Sequence, residues 1–178
     1  MRVAIVDCET TGLLRHPRAK PALQPRVIEF GAIIINAAGE RLDAMSQLFN
    51  PEQDLEAIIT KITGLTDADL CEQPKFAQLA EDVSRFISGC DVIIAHNLPF
   101  DKGVLELEFQ RLGIQCDWPK IQLCTVQENA PVYGYRVKLK DLYADVMGQP
   151  LAQTHRALDD CEALAHIVTT EGYLEGLT

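Results

Sequence analysis

Val3-Ala4-Ile5-Val6 is an unbroken apolar run near the start of the chain, and it ends abruptly in Asp7-Cys8-Glu9. A strand that is apolar at every position is covered on both faces, which places it inside a layered structure and not at a solvated edge. Alternation along the strand puts Asp7 and Glu9 on one side and turns Cys8 the other way into packing. Two carboxylates delivered together at the end of a buried strand can share a cation.

Val27 to Asn36 and Arg41 to Phe49 read as two further strands joined by a hairpin turn at Ala37-Ala38-Gly39-Glu40, an antiparallel start. Beyond Asn50-Pro51, Phe76, Leu79, Ala80, Val83 and Ile87 recur at helical spacing until Gly89 stops the helix. Asp91 to Ala95 reads as a buried strand presenting His96-Asn97 at its end, followed by a helix with Leu105, Phe109 and Leu112 on one face before Gly113. A short strand is expected around Ile121 to Cys124, then a helix through Leu139, Leu142, Tyr143, Val146 and Met147. A last helix, capped by Thr154, should bury Ala157, Cys161, Leu164, Ala165 and Val168. The order implies an α/β fold, a mixed sheet of antiparallel N-terminal strands and later parallel ones flanked by helices, in one domain over residues 1–178. In such sheets ligands gather at the strand ends, where these polar residues sit.

At 178 residues the chain can bury a core without disulfides or a structural metal. Its formal net charge of −10 excludes a protein that holds nucleic acid through its overall field, so charge placement must matter more than the sum. Two stretches lack acids: Thr10 to Ile28, with Arg15, Arg18, Lys20 and Arg26, and Asn129 to Lys140, with Arg136, Lys138 and Lys140 among Tyr133 and Tyr135. Each is either an electrostatic wall for a nucleic-acid strand or a solvated loop. The six cysteines show no Cys-x-x-Cys or zinc-ribbon spacing and read as buried thiols. The N-terminus enters a strand at once and no segment reaches membrane-spanning length, so a cytoplasmic protein with no membrane partner is expected.

Asp7, Glu9, Asp101 and Asp160 each stand beside an apolar run that should fix them, and oxygen ligands of this kind suit Mg²⁺ or Mn²⁺. Two such ions at one site would move the charge balance from −10 to −6 where a phosphate must approach. His155 supplies a candidate base. Its spacing of five from Asp160 corresponds to a rise of roughly 7.5 Å if both were helical, which suits contact with a water better than two ligands on one ion.

Three motifs stand in order: Asp7-Cys8-Glu9-Thr10-Thr11-Gly12, His96-Asn97 through Phe100-Asp101, and His155 with Asp160. With them the chain resembles the DEDDh 3′→5′ exonucleases, the DnaQ-like group of the ribonuclease H-like superfamily, and within it the proofreading epsilon type. The resemblance implies a ribonuclease H-like fold with Asp7, Glu9 and Asp160 holding the catalytic ion and Asp7 bridging to a second ion near Asp101. It further implies that Thr10, Thr11, Gly12, His96, Asn97 and Phe100 receive the 3′-terminal nucleotides, with Phe100 stacking on a base or, equally, serving as a core aromatic. The implied reaction releases nucleoside 5′-monophosphates from 3′ ends, with His155 accepting a proton from the attacking water. Glu29, where the family commonly carries a glutamate, is expected either to support the ligands or to be an ordinary half-buried polar residue. Two departures, Leu98-Pro99 in the second motif and Cys124 where many members carry aspartate, touch no ligand.

The expected substrate is DNA, single-stranded or frayed, for proofreading or repair, with a polymerase or a second copy of the chain as a candidate partner. An exoribonuclease acting on short or structured RNA is the alternative, because the ligand set does not distinguish sugars. A reading of Asp7 as a phosphatase nucleophile lacks a second acid at a suitable offset. The reading from another class is a non-catalytic nucleic-acid-binding or scaffold subunit, against which the intact acids and His155 argue.

Overall fold

The computed structural model describes residues 1–177. Strand β1 (Arg2–Thr10) carries the apolar run straight through both carboxylates. Its even residues Ala4, Val6 and Cys8 enter one core cluster, and its odd residues Val3 and Ile5 enter another. The strand is therefore covered on both faces, as an all-apolar segment requires.

β2 (Val27–Asn36) pairs antiparallel with β1 and with β3 (Arg41–Leu48). The β2–β3 turn is closed by Asn36 Oδ1, which accepts from Ala38 N at 2.9 Å and Glu40 N at 3.0 Å, while Gly39 takes the left-handed conformation the turn needs. α1 (Ala57–Thr63) and α2 (Asp67–Leu70) follow where the sequence suggested no element. They cover a small cluster of Ile28, Leu65 and Leu70. Then come α3 (Phe76–Ser88), β4 (Val92–Ala95), α4 (Leu98–Leu112), β5 (Ile121–Cys124), α5 (Thr125–Tyr133), α6 (Leu139–Met147) and α7 (Ala157–Thr170).

The sheet order is β3-β2-β1-β4-β5, with β4 parallel to both β1 and β5, so the expected mixed sheet is present. One face packs on α3 and α4 through Phe76, Val83, Ile87, Leu105 and Phe109. The other packs on α6 and α7 through Leu142, Cys161, Leu164 and Val168. Burial of each such side chain is worth about 1.5–3 kcal/mol. Gly31 in β2 sets how closely α7 approaches: a Cβ there would meet Ala157 C and Leu158 N at 2.5 Å or less. Only glycine lets the first turn of α7 rest on the strand.

Four expectations need correcting. β3 ends at Leu48, and Phe49 lies beyond it as a fully buried core residue. Part of the second acid-free stretch is helix α5, which tolerates Pro131 in its last turn, and is not loop. Thr154 does not cap α7: Arg156 is the N-cap residue, and the Thr154 hydroxyl instead donates to Asp159 Oδ2 at 2.7 Å. Cys8, Cys90, Cys124 and Cys161 are buried, but Cys71 is exposed at the surface end of α2 and Cys116 is half-buried in a connection. Among the described residues no helix is long and apolar enough to cross a membrane.

Candidate active site

The C-terminal ends of β1 and β4, the first turn of α4 and the approach to α7 enclose a cleft of about 390 Å³. Asp7, Glu9, His96, Asn97, Phe100, Asp101, His155 and Asp160 all line it, joined by Arg136, Lys138 and Gln153. Residues separated by as many as 153 positions thus meet because two parallel strands end side by side and α7 packs back across β1 and β2.

The tightest group is Glu9, His155 and Asp160, whose ligand atoms all lie within 4.8 Å of one another. Asp7 and Asp101 line the same cleft outside that group. Asp101 Oδ1 accepts from Cys8 N at 3.0 Å, a bond that ties α4 to the middle of the β1 motif. Gln153 Nε2 donates to Asp160 Oδ2 at 3.0 Å and fixes that carboxylate.

Burial, followed by repulsion from Asp101, Glu9, Asp160 and Glu29, holds the Asp7 carboxyl well above the usual range. Burial and the same neighbouring acids push Glu9 up to about 8. Asp101 is also pushed up to about 8, by burial, against the opposing bond from Cys8. Burial raises Asp160 as well. The charged groups acting on Asp7 are all carboxylates, so the cluster carries a repulsion that cations would relieve. Oxygen donors with one imidazole nearby fit a hard divalent ion such as Mg²⁺ or Mn²⁺.

His155 has φ +52, a left-handed conformation uncommon outside glycine. It precedes α7, so the helical rise does not separate it from Asp160; the left-handed turn folds its ring toward Glu9 and Asp160. Both neighbours are tied down: Thr154 to Asp159, and Arg156 to the buried Glu29 at 3.0 Å. Glu29 is thus the partner of Arg156, and it sits opposite Glu9 in the β1–β2 ladder.

His96 Nδ1 contacts Thr125 Oγ1 at 2.9 Å, and Nε2 lies 3.0 Å from the Val137 carbonyl oxygen, to which it can only donate. Burial lowers its pKa, and with both nitrogens committed the neutral ring braces the cleft wall. Asn97 Oδ1 accepts from Arg136 Nη2 at 2.7 Å, holding a cation at the rim. Phe100 is half-buried, packed against the α3–α4 core while also lining the cleft. Thr10, Thr11 and Gly12 follow Glu9 just beyond the lining residues: Thr10 Oγ1 donates to Gly12 O at 2.7 Å, and Thr11 Oγ1 accepts from Arg26 N at 3.0 Å. Of the first acid-free stretch, Arg26 is committed to the buried Glu108 at 2.8 Å. Sequence reasoning missed Gln153, which no pattern marks, and Arg156, which stands inside the third motif beside His155.

The family model described as Exonuclease (RNase_T) matches residues 4–168, nearly all of the chain. The chain belongs to this exonuclease family. Among curated proteins, the chain is 32% identical over 167 residues to the DNA polymerase III subunit epsilon of Treponema pallidum, covering 92% of the chain and 73% of that protein. It is 31% identical over 169 residues to the DNA polymerase III PolC-type of Halalkalibacterium halodurans, where 92% of the chain spans only 11% of the polymerase. The fold is shared with the nuclease domain of 3′hExo, a DEDDh family member bound to rAMP, at a TM-score of 0.73 and 17% identity over 98% of this chain and 92% of that one. A zinc-bound E. coli ExoI–ssDNA complex superposes at 0.78, with 17% identity over 98% of this chain and 41% of that one. The exonuclease assignment made from the three motifs therefore holds, and the expected mixed-sheet fold is shared with these solved structures.

Proposed function

We propose that this exonuclease hydrolyses the 3′-terminal phosphodiester of nucleic acid, releasing nucleoside 5′-monophosphates, with single-stranded or frayed DNA as the preferred substrate. The observation that carries the reading is the convergence of Asp7, Glu9, Asp101, Asp160 and His155 in one cleft whose rim holds Arg136 and Lys138. Acids on the floor and bases on the rim match a phosphate bound between divalent cations and cationic side chains.

In this reading Asp7, Glu9, Asp101 and Asp160 hold two ions, Mg²⁺ or Mn²⁺. When bound, such ions stabilise the attacking and leaving oxygens of an in-line displacement and neutralise the charge of the floor. His155 accepts a proton from the water that attacks the phosphorus, and the bond to the 3′-oxygen of the preceding nucleotide breaks, that oxygen leaving with a proton. Phe100 stacks on a terminal base, Asn97 keeps Arg136 aimed at a phosphate, and the Thr10–Gly12 turn meets the 3′ end through its backbone. Residues 1–178 act as one exonuclease domain.

DNA is preferred because the relatives covering most of the chain are DNA polymerase III epsilon subunits and PolC-type polymerases, which also make a polymerase a candidate partner beside a second copy of the chain. RNA is retained as the second reading because a protein sharing the fold binds rAMP. The cytoplasm is the proposed compartment. The reading is tested by shortening of 5′-labelled DNA and RNA strands with Mg²⁺, Mn²⁺ or chelator: loss from the 3′ end in the presence of metal supports it, and intact strands of both sugars refute it.

A further inference from the structure

We propose that residues 13–25 form a fixed basic arm that grips backbone phosphates of the substrate strand upstream of its 3′ end, an inference that rests on the nuclease reading above. The arm leaves the cleft directly after Glu9 and the Thr10–Gly12 turn. It carries no acid, and its Arg15, Arg18 and Lys20 are exposed. None of the three pairs with a carboxylate among the described residues, whereas Arg26 at the arm's base does. In a chain of net charge −10, three cations within six residues and without a carboxylate partner make a local positive patch that a phosphate can pair with.

The arm is held firmly, which distinguishes it from a solvated loop. Glu108 on α4 is buried, and its Oε1 accepts from Arg26 Nε at 2.8 Å and from Val27 N at 3.2 Å. Arg111, 3.0 Å from the same oxygen, donates through Nη2 to the carbonyls of Pro21, Gln24 and Pro25 at 3.0, 3.2 and 3.1 Å. The buried Gln24 side chain accepts from Arg15 N at 2.9 Å and donates to the carbonyl oxygens of Arg15 and His16. At the cleft end Leu14 packs against Gly103, so closely that a Cβ there would meet its Cδ1 at 2.9 Å. The arm therefore lies along α4 from Gly103, one turn beyond Phe100, to Arg111. Eight residues of helix rise about 12 Å, long enough to pass more than one backbone phosphate of a single strand. Three cations along such a span match a strand leading away from the cleft.

The test is fluorescence anisotropy of 5′-labelled oligodeoxythymidylates of about 3 and about 12 nucleotides, with chelator present so that nothing is cleaved. Titrations run between about 50 and 200 mM salt. The triple variant Arg15→Gln/Arg18→Gln/Lys20→Gln is compared with the parent and with a charge-matched control, Lys61→Gln/Arg85→Gln/Lys120→Gln, whose residues are also exposed. For the long strand the arm variant should bind about 10-fold more weakly, with the slope of log K against log salt reduced by about 2, at roughly 0.7 per phosphate contact. The short strand should lose much less. Equal affinity and slope in parent and arm variant, or an equal loss in the control, would overturn the proposal. An equal loss for the short and the long strand would overturn the assignment to phosphates upstream of the 3′ end. Failure of the parent to shorten any strand when Mg²⁺ is supplied counts against the nuclease reading, while the anisotropy still decides the arm.

Discussion

Arg156 donates from Nε and Nη2 to the Glu29 carboxylate, each at 3.0 Å, directly across the β1–β2 ladder from Glu9 and one residue from His155. A guanidinium fork on a carboxylate fixes direction as well as distance. The pair clamps the residue that follows the left-handed His155 onto the central sheet.

Arg156→Ala should leave Glu29, 1% exposed, without its counter-charge. Breaking a buried pair costs about 3–5 kcal/mol, and because Arg156 is 42% exposed we expect roughly 1–3 kcal/mol. At about 2–4 °C per kcal/mol the melting temperature should fall by several degrees. If the clamp also places His155, kcat should drop about 10–100-fold with KM nearly constant, and Arg156→Lys should lie between. Parent-like kcat in a folded Arg156→Ala protein would remove the positioning role.

The pair also shows what the sequence could and could not convey. β1 was legible because its period and composition are local, and the alternation that splits Cys8 from Asp7 and Glu9 is a property of any strand. Asp7, Glu9, Asp101, His155 and Asp160 were legible because the motifs carry them, and the structure brings all five to one cleft. Gln153 on Asp160 and Arg156 on Glu29 were not, since each bond joins segments whose closeness only the folded sheet creates. α1 was hidden by its Ile-Ile-Thr-Lys-Ile-Thr composition, which favours strand on propensity, whereas α2 had a readable signal in the capping box of Thr66 and Asp69. α7 was located, but its first turn was misplaced because Thr154 resembles a cap while its hydroxyl is drawn to Asp159.

The acid cluster should make metal binding release protons. In the metal-free protein burial and neighbouring charge push Glu9 up to about 8 and burial pushes Asp101 up to about 8, so near pH 7 these two hold protons that a cation displaces, and Asp7 is shifted in the same direction. The folded state then binds more protons than the unfolded chain, so the contribution of these groups to stability is complete below their ordinary pKa near 4 and is lost as pH rises through about 8. Metal-free Asp101→Asn should therefore gain melting temperature relative to the parent between pH 5 and pH 8.5, by at least about 2 °C at the upper end. Mn²⁺ at high pH should stabilise the parent more than the variant. Parallel melting curves for the two proteins across that range would contradict the raised carboxyls.

Gly31→Ala should be disruptive far beyond a single methyl, because the new carbon would fall on the backbone of Ala157 and Leu158. Overpacking of this kind costs about 1–3 kcal/mol or more, and the strain should push the start of α7, with His155 and Asp160, away from Glu9. Lower stability together with at least about 10-fold lower kcat is expected, since small misplacements of reacting groups are costly. Unfolding by denaturant and steady-state kinetics on one preparation check both, and unchanged values would show that α7 has room to move.

His155→Ala separates a proton acceptor from a cation ligand, since His155 stands within 4.8 Å of Glu9 and Asp160. As the base it should contribute about 10²–10⁴-fold to kcat, and on its loss Mn²⁺ affinity should stay within about 3-fold. A large drop in Mn²⁺ affinity, read by calorimetry, would make it a ligand instead.

The most direct measurement is the length distribution of a 5′-labelled single-stranded oligonucleotide, as DNA and as RNA, incubated with the parent protein or with Asp7→Ala in Mg²⁺, Mn²⁺ or chelator. The expected result is a metal-dependent ladder shortening from the 3′ end, faster on DNA, releasing nucleoside 5′-monophosphates and absent in Asp7→Ala. Uncut strands of both sugars with a parent protein that binds Mn²⁺, or a ladder that survives Asp7→Ala, would contradict the assignment of the acid cluster to phosphodiester hydrolysis.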